Sequence, residues 1–210
     1  MRIGPYIVWA HLFKTGGTST AAWLEANGHT YRRPGDAWHR LERECVRPGV
    51  DPHSHMSLGD VLPRELATRQ RWVGMRDPVY WYPSVWAHCG REVGPLDRDG
   101  RVLVLGWDSW LLWALARSSV PHPTPHGVCA LRESLLWWCW RRVLGGVEPT
   151  RILWTHDLGR DLPGIGLLNV ARLDPEVQRR ALPTVADAQR RCIQGADWWV
   201  RDLPGWGDRW

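Results

Sequence analysis

The stretch Tyr6–Gly28, "YIVWAHLFKTGGTSTAAWLEANG", contains the pattern on which the fold prediction rests. Its first residues, Tyr6–Ala10, form a short apolar and partly β-branched run that is typical of a buried strand. A loop with adjacent glycines follows, and then a run of helix formers that ends at Gly28. The stretch therefore predicts a strand, a tight loop and a helix in direct succession.

Two later segments repeat this pattern. Arg71–Met75 is a second short strand candidate, and Asp77 and Pro78 suit the cap and the first position of a helix after it. Arg151–Leu158 is a third strand–turn unit. Strands that alternate with helices predict an α/β fold with a central parallel sheet and helices on both faces. Such sheets bind ligands at the carboxyl ends of their strands.

The rest of the chain fits one domain. Further helices are predicted over Asp108–Arg117, Ala130–Val143 and Thr184–Val200, and Val120–Gly127 reads as a loop. No repeat or linker divides the chain, so residues 1–210 are expected to form a single domain. The sequence has neither a signal-peptide pattern nor an apolar run of about 18 residues, which favours a cytoplasmic protein without a transmembrane segment.

The composition limits the classes of ligand and site that we expect, but it does not identify one function. The net charge of +5 favours anionic ligands but leaves their class open. The 5 cysteines are widely spaced without a C-x-x-C pair, which argues against a disulfide framework or a zinc ribbon. There are 17 tryptophans against 1 phenylalanine, and we expect most of them to be core residues rather than stacking platforms for sugars or bases.

The loop after the first strand has the composition of an anion site. It contains the chain's single lysine, although basic side chains number 27. Adjacent glycines let the backbone approach a ligand, and the following helix directs its N–H groups and dipole at the loop. An ordinary strand–helix turn needs a glycine and a cap but no lysine. The residues that predict a phosphate or sulfate cradle are Lys14, Thr15, Gly16, Gly17, Thr18 and Ser19.

This loop resembles the 5′-phosphosulfate-binding loop of sulfotransferases that use 3′-phosphoadenosine 5′-phosphosulfate (PAPS). In the carbohydrate branch that includes heparan sulfate 2-O-sulfotransferase, the loop commonly reads close to P-K-T-G-G-T-S, and Phe13 replaces the proline here. The resemblance implies a P-loop-like three-layer sandwich. It also implies that Lys14 neutralises charge on the oxygen between sulfate and phosphate, while Thr15 through Ser19 hold the 5′-phosphate. The loop differs from a Walker A motif, in which the lysine follows the glycines.

The resemblance implies a second phosphate site and a base. Arg76 at a strand end and Ser84 on the next helix would hold the 3′-phosphate, although Arg76 alone can also simply pair with Asp77. His53 and His55 form an H-x-H between the two motifs and are the candidate bases, with their individual roles open. Two histidines without a third ligand make a poor zinc site, so we expect no metal. His11, beside the loop, is expected to serve strand-end packing or capping.

The sequence thus predicts a PAPS-dependent sulfotransferase whose acceptor is a hydroxyl of a small molecule or glycan, with no nucleic-acid partner. Two alternatives stay open. A P-loop-type nucleotide kinase or hydrolase would show magnesium dependence. A catalytically inactive anion-binding module would bind without turnover, and its binding to nucleic acid would weaken steeply with salt.

Overall fold

The computed structural model describes residues 1–31, 39–50, 56–89, 92–115, 121–124, 127–130, 134–166, 195 and 197–206. The chain divides into two compact units. The first comprises Met1–Arg76 and Trp140–Asn169, and the second comprises Asp77–Cys139 and Val170–Trp210.

The described residues form strands, α-helices and short 3₁₀ turns. The strands are β1 (Arg2–Ile3), β2 (Ile7–His11), β3 (Gln70–Met75), β4 (Pro121–Thr124), β5 (Gly127–Ala130) and β6 (Arg151–Trp154). The α-helices are α1 (Gly17–Ala26), α2 (Arg40–Glu44), α3 (Pro63–Thr68), α4 (Pro78–Cys89), α5 (Trp107–Leu115), α6 (Leu135–Leu144) and α7 (Leu158–Asp161). The 3₁₀ turns are Leu58–Asp60, Thr155–Asp157 and Trp198–Asp202.

The first unit is built on a four-stranded sheet in the order β1-β2-β3-β6. Strands β2, β3 and β6 run parallel, with His11 opposite Gly74 and Met75 opposite Trp154. The α/β prediction is therefore confirmed, and the predicted strand–loop–helix succession appears as β2 and α1.

The predicted central parallel sheet is observed in β2, β3 and β6, but its edge differs from the prediction because β1 pairs antiparallel with β2. Only a tight turn separates the two strands, and the Gly4 N–H donates to the Ile7 carbonyl across it (2.9 Å). A connection this short permits only an antiparallel pair. The sheet is consequently mixed and open.

Helix α1 covers part of this sheet with an apolar face. Leu24 packs in a buried cluster with Ile7 and Trp9 of β2, and Leu158 of α7 joins the same cluster. The Trp23 indole donates to the Pro163 carbonyl (2.9 Å), which ties α1 to the segment after α7. These contacts hold the C-terminal half of α1 against the sheet and the segment after α7.

The second unit has an aromatic interior. Trp110 of α5 is fully buried, donates to the Val93 carbonyl (2.6 Å) and meets Tyr82 edge-on with a centroid distance of 6.3 Å. Buried tryptophans across the described chain are Trp9, Trp72, Trp81, Trp110, Trp140, Trp154 and Trp206, whereas Trp198 is exposed. Seven of the fifteen described tryptophans are buried, seven are partly buried and one is exposed, so a core position is confirmed for about half of them in this part of the chain.

Several predicted boundaries need correction. Ala130 lies at the end of β5 rather than in a helix, and the helix predicted from it begins at Leu135. The supposed loop Val120–Gly127 contains β4, which pairs antiparallel with β5. Of the predicted final helix, Trp198–Val200 belongs to a 3₁₀ turn, and most of the remainder lies outside the described residues.

Among the described helices, none is long and apolar enough to cross a bilayer. The described free cysteines, Cys45 and Cys139, are both buried.

Candidate anion-binding site

The loop between β2 and α1 has an unusual backbone at its lysine. Lys14 has a φ of 65°, and it is the one non-glycine residue with a positive φ in the described part of the chain. Gly16 follows with a φ of 76°. A left-handed conformation at a residue with a Cβ costs about 1–2 kcal/mol. Such strain is characteristic of functional loops, where a particular side chain is kept despite its backbone cost.

Hydrogen bonds hold the loop in this shape. Thr15 is buried, and its hydroxyl donates to the Leu12 carbonyl (2.6 Å). A Cβ on Gly74 of the neighbouring strand would lie 3.2 Å from the Thr15 Oγ1, so glycine there gives this hydroxyl its room. The loop therefore packs tightly on the end of β3.

Helix α1 starts directly from this loop. Its N-cap is Gly16, which provides no side-chain cap, and the first turn has no acidic residue. The Thr20 N–H donates to the Gly16 carbonyl (3.0 Å), so the N–H groups of Gly17, Thr18 and Ser19 precede the first intrahelical bond. A helix start of this kind attracts anions through its N–H groups and its dipole.

Arg76 brings a second cation to the loop. It follows β3, and its Nη1 donates to the Lys14 carbonyl (3.2 Å). A guanidinium carries five N–H donors, so it can bind a phosphate alongside this bond. The ends of β2 and β3 therefore bring two basic residues to one loop.

The turn after β6 forms another side of the site. The Thr155 hydroxyl donates to the Met75 carbonyl (2.9 Å), which joins the ends of β6 and β3. A Cβ on Gly16 would lie 2.8 Å from Leu158 Cδ1 and 3.9 Å from the Thr155 methyl. Gly16 is thus favoured by its positive φ, and a Cβ there would also have to displace the end of the Leu158 side chain.

His11, the last residue of β2, packs against the loop and the start of α1. Its imidazole stacks parallel on the Trp9 indole, with 4.5 Å between ring centroids and 4° between planes. This stacking agrees with the expected role in strand-end packing. The ring also reaches the start of α1, since a Cβ on Gly17 would lie 2.2 Å from His11 Nε2.

Ser84 lies in the second unit, on α4. The helix begins as the sequence predicts, with Pro78 at its first position and the Val79 N–H donating to the Asp77 carboxylate (2.8 Å). Ser84 is 3% exposed, and its Oγ is buried without a hydrogen-bond partner among the described residues. An unpaired buried hydroxyl is costly, and such groups often mark a place where a ligand completes the bonding.

The candidate bases His53 and His55 lie outside the described residues. Of the other predicted site residues, Thr15 and Ser19 are buried, Thr18 is exposed, and Lys14 is partly exposed. The described chain contains no group of three or more His, Cys, Asp or Glu side chains that could hold a metal ion.

Sequence reasoning missed the contacts that His11, Thr155 and Leu158 make with the loop. The one available signal was the tryptophan two residues before His11, because side chains at i and i+2 of a strand share a face. The other contacts come from the turn after β6, distant in sequence. Against protein-family models, curated proteins and solved structures, the chain has no significant match in any of the three comparisons.

Proposed function

We propose that this protein is a sulfotransferase that takes its sulfuryl group from PAPS and transfers it to a hydroxyl of a small molecule or glycan. The observation that carries the proposal is the loop after β2. There, Lys14 keeps its side chain at a strained backbone position and Arg76 donates to its carbonyl. The proposal includes the finer architecture of a P-loop-like three-layer sandwich, with helices on both faces of the sheet.

The described residues fit the two phosphate groups of such a donor. The start of α1, where Gly16 offers no side-chain cap and glycines and hydroxyls follow, suits the 5′-phosphate. On the sequence resemblance, Arg76 and Ser84 are proposed to bind the 3′-phosphate, and the buried Ser84 Oγ has no hydrogen-bond partner among the described residues. Guanidinium and hydroxyl donors are well matched to a phosphate's oxygens.

PAPS supplies an activated sulfuryl group. In the proposed reaction the acceptor oxygen forms a bond to sulfur, and the bond from sulfur to the 5′-phosphate oxygen breaks. The hydroxyl proton passes to a base, for which His53 and His55 remain the candidates. The Lys14 ammonium would stabilise the negative charge that develops on the departing oxygen. A compact ammonium on a flexible stem suits one oxygen better than a rigid guanidinium fork does.

Calorimetry with adenosine 3′,5′-bisphosphate, the expected product, tests the binding half of the proposal. The wild-type protein should bind it, and Arg76→Ala should weaken binding about ten-fold or more, since hydrogen bonds to charged groups are strong. Arg40→Ala is the matched control, because it removes the same charge from a side chain that is 88% exposed on α2. A wild-type protein that does not bind the bisphosphate would overturn the proposal.

A transfer assay tests the chemical half. Sulfuryl transfer from PAPS to a panel of phenolic and sugar hydroxyls should proceed in the presence of a metal chelator. A phosphoryl-transferring or nucleotide-hydrolysing enzyme would instead need magnesium. Binding of the bisphosphate without transfer to any acceptor would favour an inactive anion-binding module.

A further inference from the structure

The His11 side chain occupies space that two glycines on different elements leave open. A Cβ on Gly17 of α1 would lie 2.2 Å from its Nε2, and a Cβ on Gly74 of β3 would lie 3.1 Å from its Cβ. Neither glycine has a positive φ, so the backbone conformation does not demand glycine at either place. Glycine instead leaves room for a neighbouring group, which is the imidazole at Gly17 and the His11 Cβ with the Thr15 hydroxyl at Gly74.

The orientation of this ring is fixed from its other side. Trp9 is 1% exposed, and its indole lies flat against the imidazole. Of the ring atoms, Nε2 lies closest to the position of the absent Gly17 Cβ, followed by Cδ2 at 2.4 Å and Cε1 at 3.0 Å. A nitrogen that can donate a hydrogen bond is therefore held against the first residue of α1.

Packing alone does not require this residue type. A phenylalanine would stack on Trp9 with a similar flat ring and would bury more apolar area. A histidine at a strand end beside a lysine, an arginine and a helix N-terminus instead places a further nitrogen donor where an anion is expected.

We infer that His11 is an anion-binding residue of this site, whose Nε2 donates a hydrogen bond to the 5′-phosphoryl group held by the loop. The inference rests on the proposed function, because it names a further ligand of the same donor molecule. His11 thereby adds an imidazole donor to those of Lys14, Arg76 and the start of α1.

Two ligands and two substitutions test this assignment. Adenosine 3′,5′-bisphosphate carries the 5′-phosphate, whereas adenosine 3′-monophosphate lacks it. His11→Phe keeps a flat ring and removes the donor, so it should weaken binding of the bisphosphate about ten-fold and leave binding of the monophosphate unchanged. His11→Gln keeps a donor without the ring, and it should stay within about three-fold of the wild type for both ligands. Thermal unfolding of each variant checks that the fold is retained.

The outcomes separate this inference from the proposed function. If His11→Phe binds the bisphosphate as tightly as the wild type, or loses affinity equally for both ligands, His11 only packs and the inference is wrong. A wild-type protein that binds neither ligand would overturn the proposed function and the inference together. Should His11→Phe not fold, His11→Asn is used with the same expectations, since its amide is too short to occupy the position of Nε2.

Discussion

At the scale of single residues, Lys14 shows how a fold can retain a side chain at the expense of stability. Its φ of 65° would suit glycine, yet the loop carries the chain's only lysine there. A backbone optimised for stability alone would place glycine at this position, as it does two residues later at Gly16. The strained backbone at Lys14 and the choice of lysine there therefore indicate that this residue serves function rather than packing.

Replacing Lys14 should separate function from folding. Lys14→Gly removes the strain, which is worth about 1–2 kcal/mol, and adds about 0.5–1 kcal/mol of backbone entropy cost. The variant should therefore be as stable as the wild type in urea unfolding, or more stable by about 1 kcal/mol. Sulfuryl transfer should fall at least about a hundred-fold, because a charge that stabilises the leaving oxygen is lost. Full activity in this variant would remove Lys14 from the proposed mechanism.

Cys45 gives a second residue-scale prediction, in the alkaline range. Burial, with the nearby Glu65 carboxylate, raises the pKa of the Cys45 thiol from 9.0 to about 11. Because the raised pKa belongs to the folded state, the thiol's contribution to stability is complete below about pH 9 and is lost as the pH rises towards 11. The free energy of unfolding should fall more steeply over this window in the wild type than in Cys45→Ala. Equal slopes in the two proteins would contradict the assignment.

At the scale of elements, a short helix is stabilised by buried polar contacts with its neighbours rather than by its own helix propensity. Helix α2 has only five residues, too few to be stable alone. Its Glu42 is fully buried, accepts from the Ile3 N–H (3.0 Å) and the His39 N–H (3.1 Å), and so links α2 to β1. A carboxylate that satisfies backbone donors on two elements fixes both of them.

Removing this carboxylate should destabilise the first unit. Glu42→Ala leaves the Ile3 N–H buried without its acceptor, and we expect a loss of about 2–3 kcal/mol in the free energy of unfolding. Glu44→Ala is the control, because its side chain is 53% exposed on the same helix and pairs with exposed Arg40, so its effect should be under about 0.5 kcal/mol. Urea unfolding at neutral pH measures both. Similar losses in the two variants would show that Glu42 has no special role.

How far the sequence predicts these elements depends on how local their determinants are. The run Ile7–His11, the adjacent glycines and the pair Asp77–Pro78 act within a few residues, and the predicted elements there are observed. Strand β4 contains prolines, which normally argue against a strand, and its pairing with β5 was not predicted. The place of His11 against Gly17 depends on how β2 meets α1, which no local pattern encodes.

At the scale of the whole molecule, each compact unit has its own stabilising centre. The first has the apolar cluster between the sheet and α1. The second has a buried carboxylate, Asp197, that accepts hydrogen bonds from the Tyr82 hydroxyl (2.7 Å) and the Ser134 hydroxyl. These partners lie on α4 and just before α6, so this network joins segments that are far apart in the sequence. A fully satisfied network of this kind specifies one arrangement of the segments that it joins.

The buried carboxyl group of Asp197 should make the free energy of unfolding depend on pH, and substitutions at this residue can measure its contribution. Burial raises the pKa of Asp197, and the hydrogen bonds from Ser134 and Tyr82 only partly oppose this effect. A raised carboxyl pKa in the folded state means that stability is lost as the pH rises through that pKa.

Three substitutions test this pH dependence. Asp197→Asn cannot ionise, so the wild type should lose stability relative to it from acid towards neutral pH. Asp197→Ala leaves both hydroxyls without their acceptor and should lose about 3 kcal/mol at acid pH, and this loss should shrink towards neutral pH because alanine cannot ionise either. The control is Asp202→Asn at an exposed position, and it should follow the wild type throughout. Urea unfolding between pH 3 and 7 (about the range in which carboxyls titrate) measures the free energy of unfolding of all four proteins. If the difference in this free energy between the wild type and Asp197→Asn is the same at every pH, Asp197 does not titrate as its burial requires.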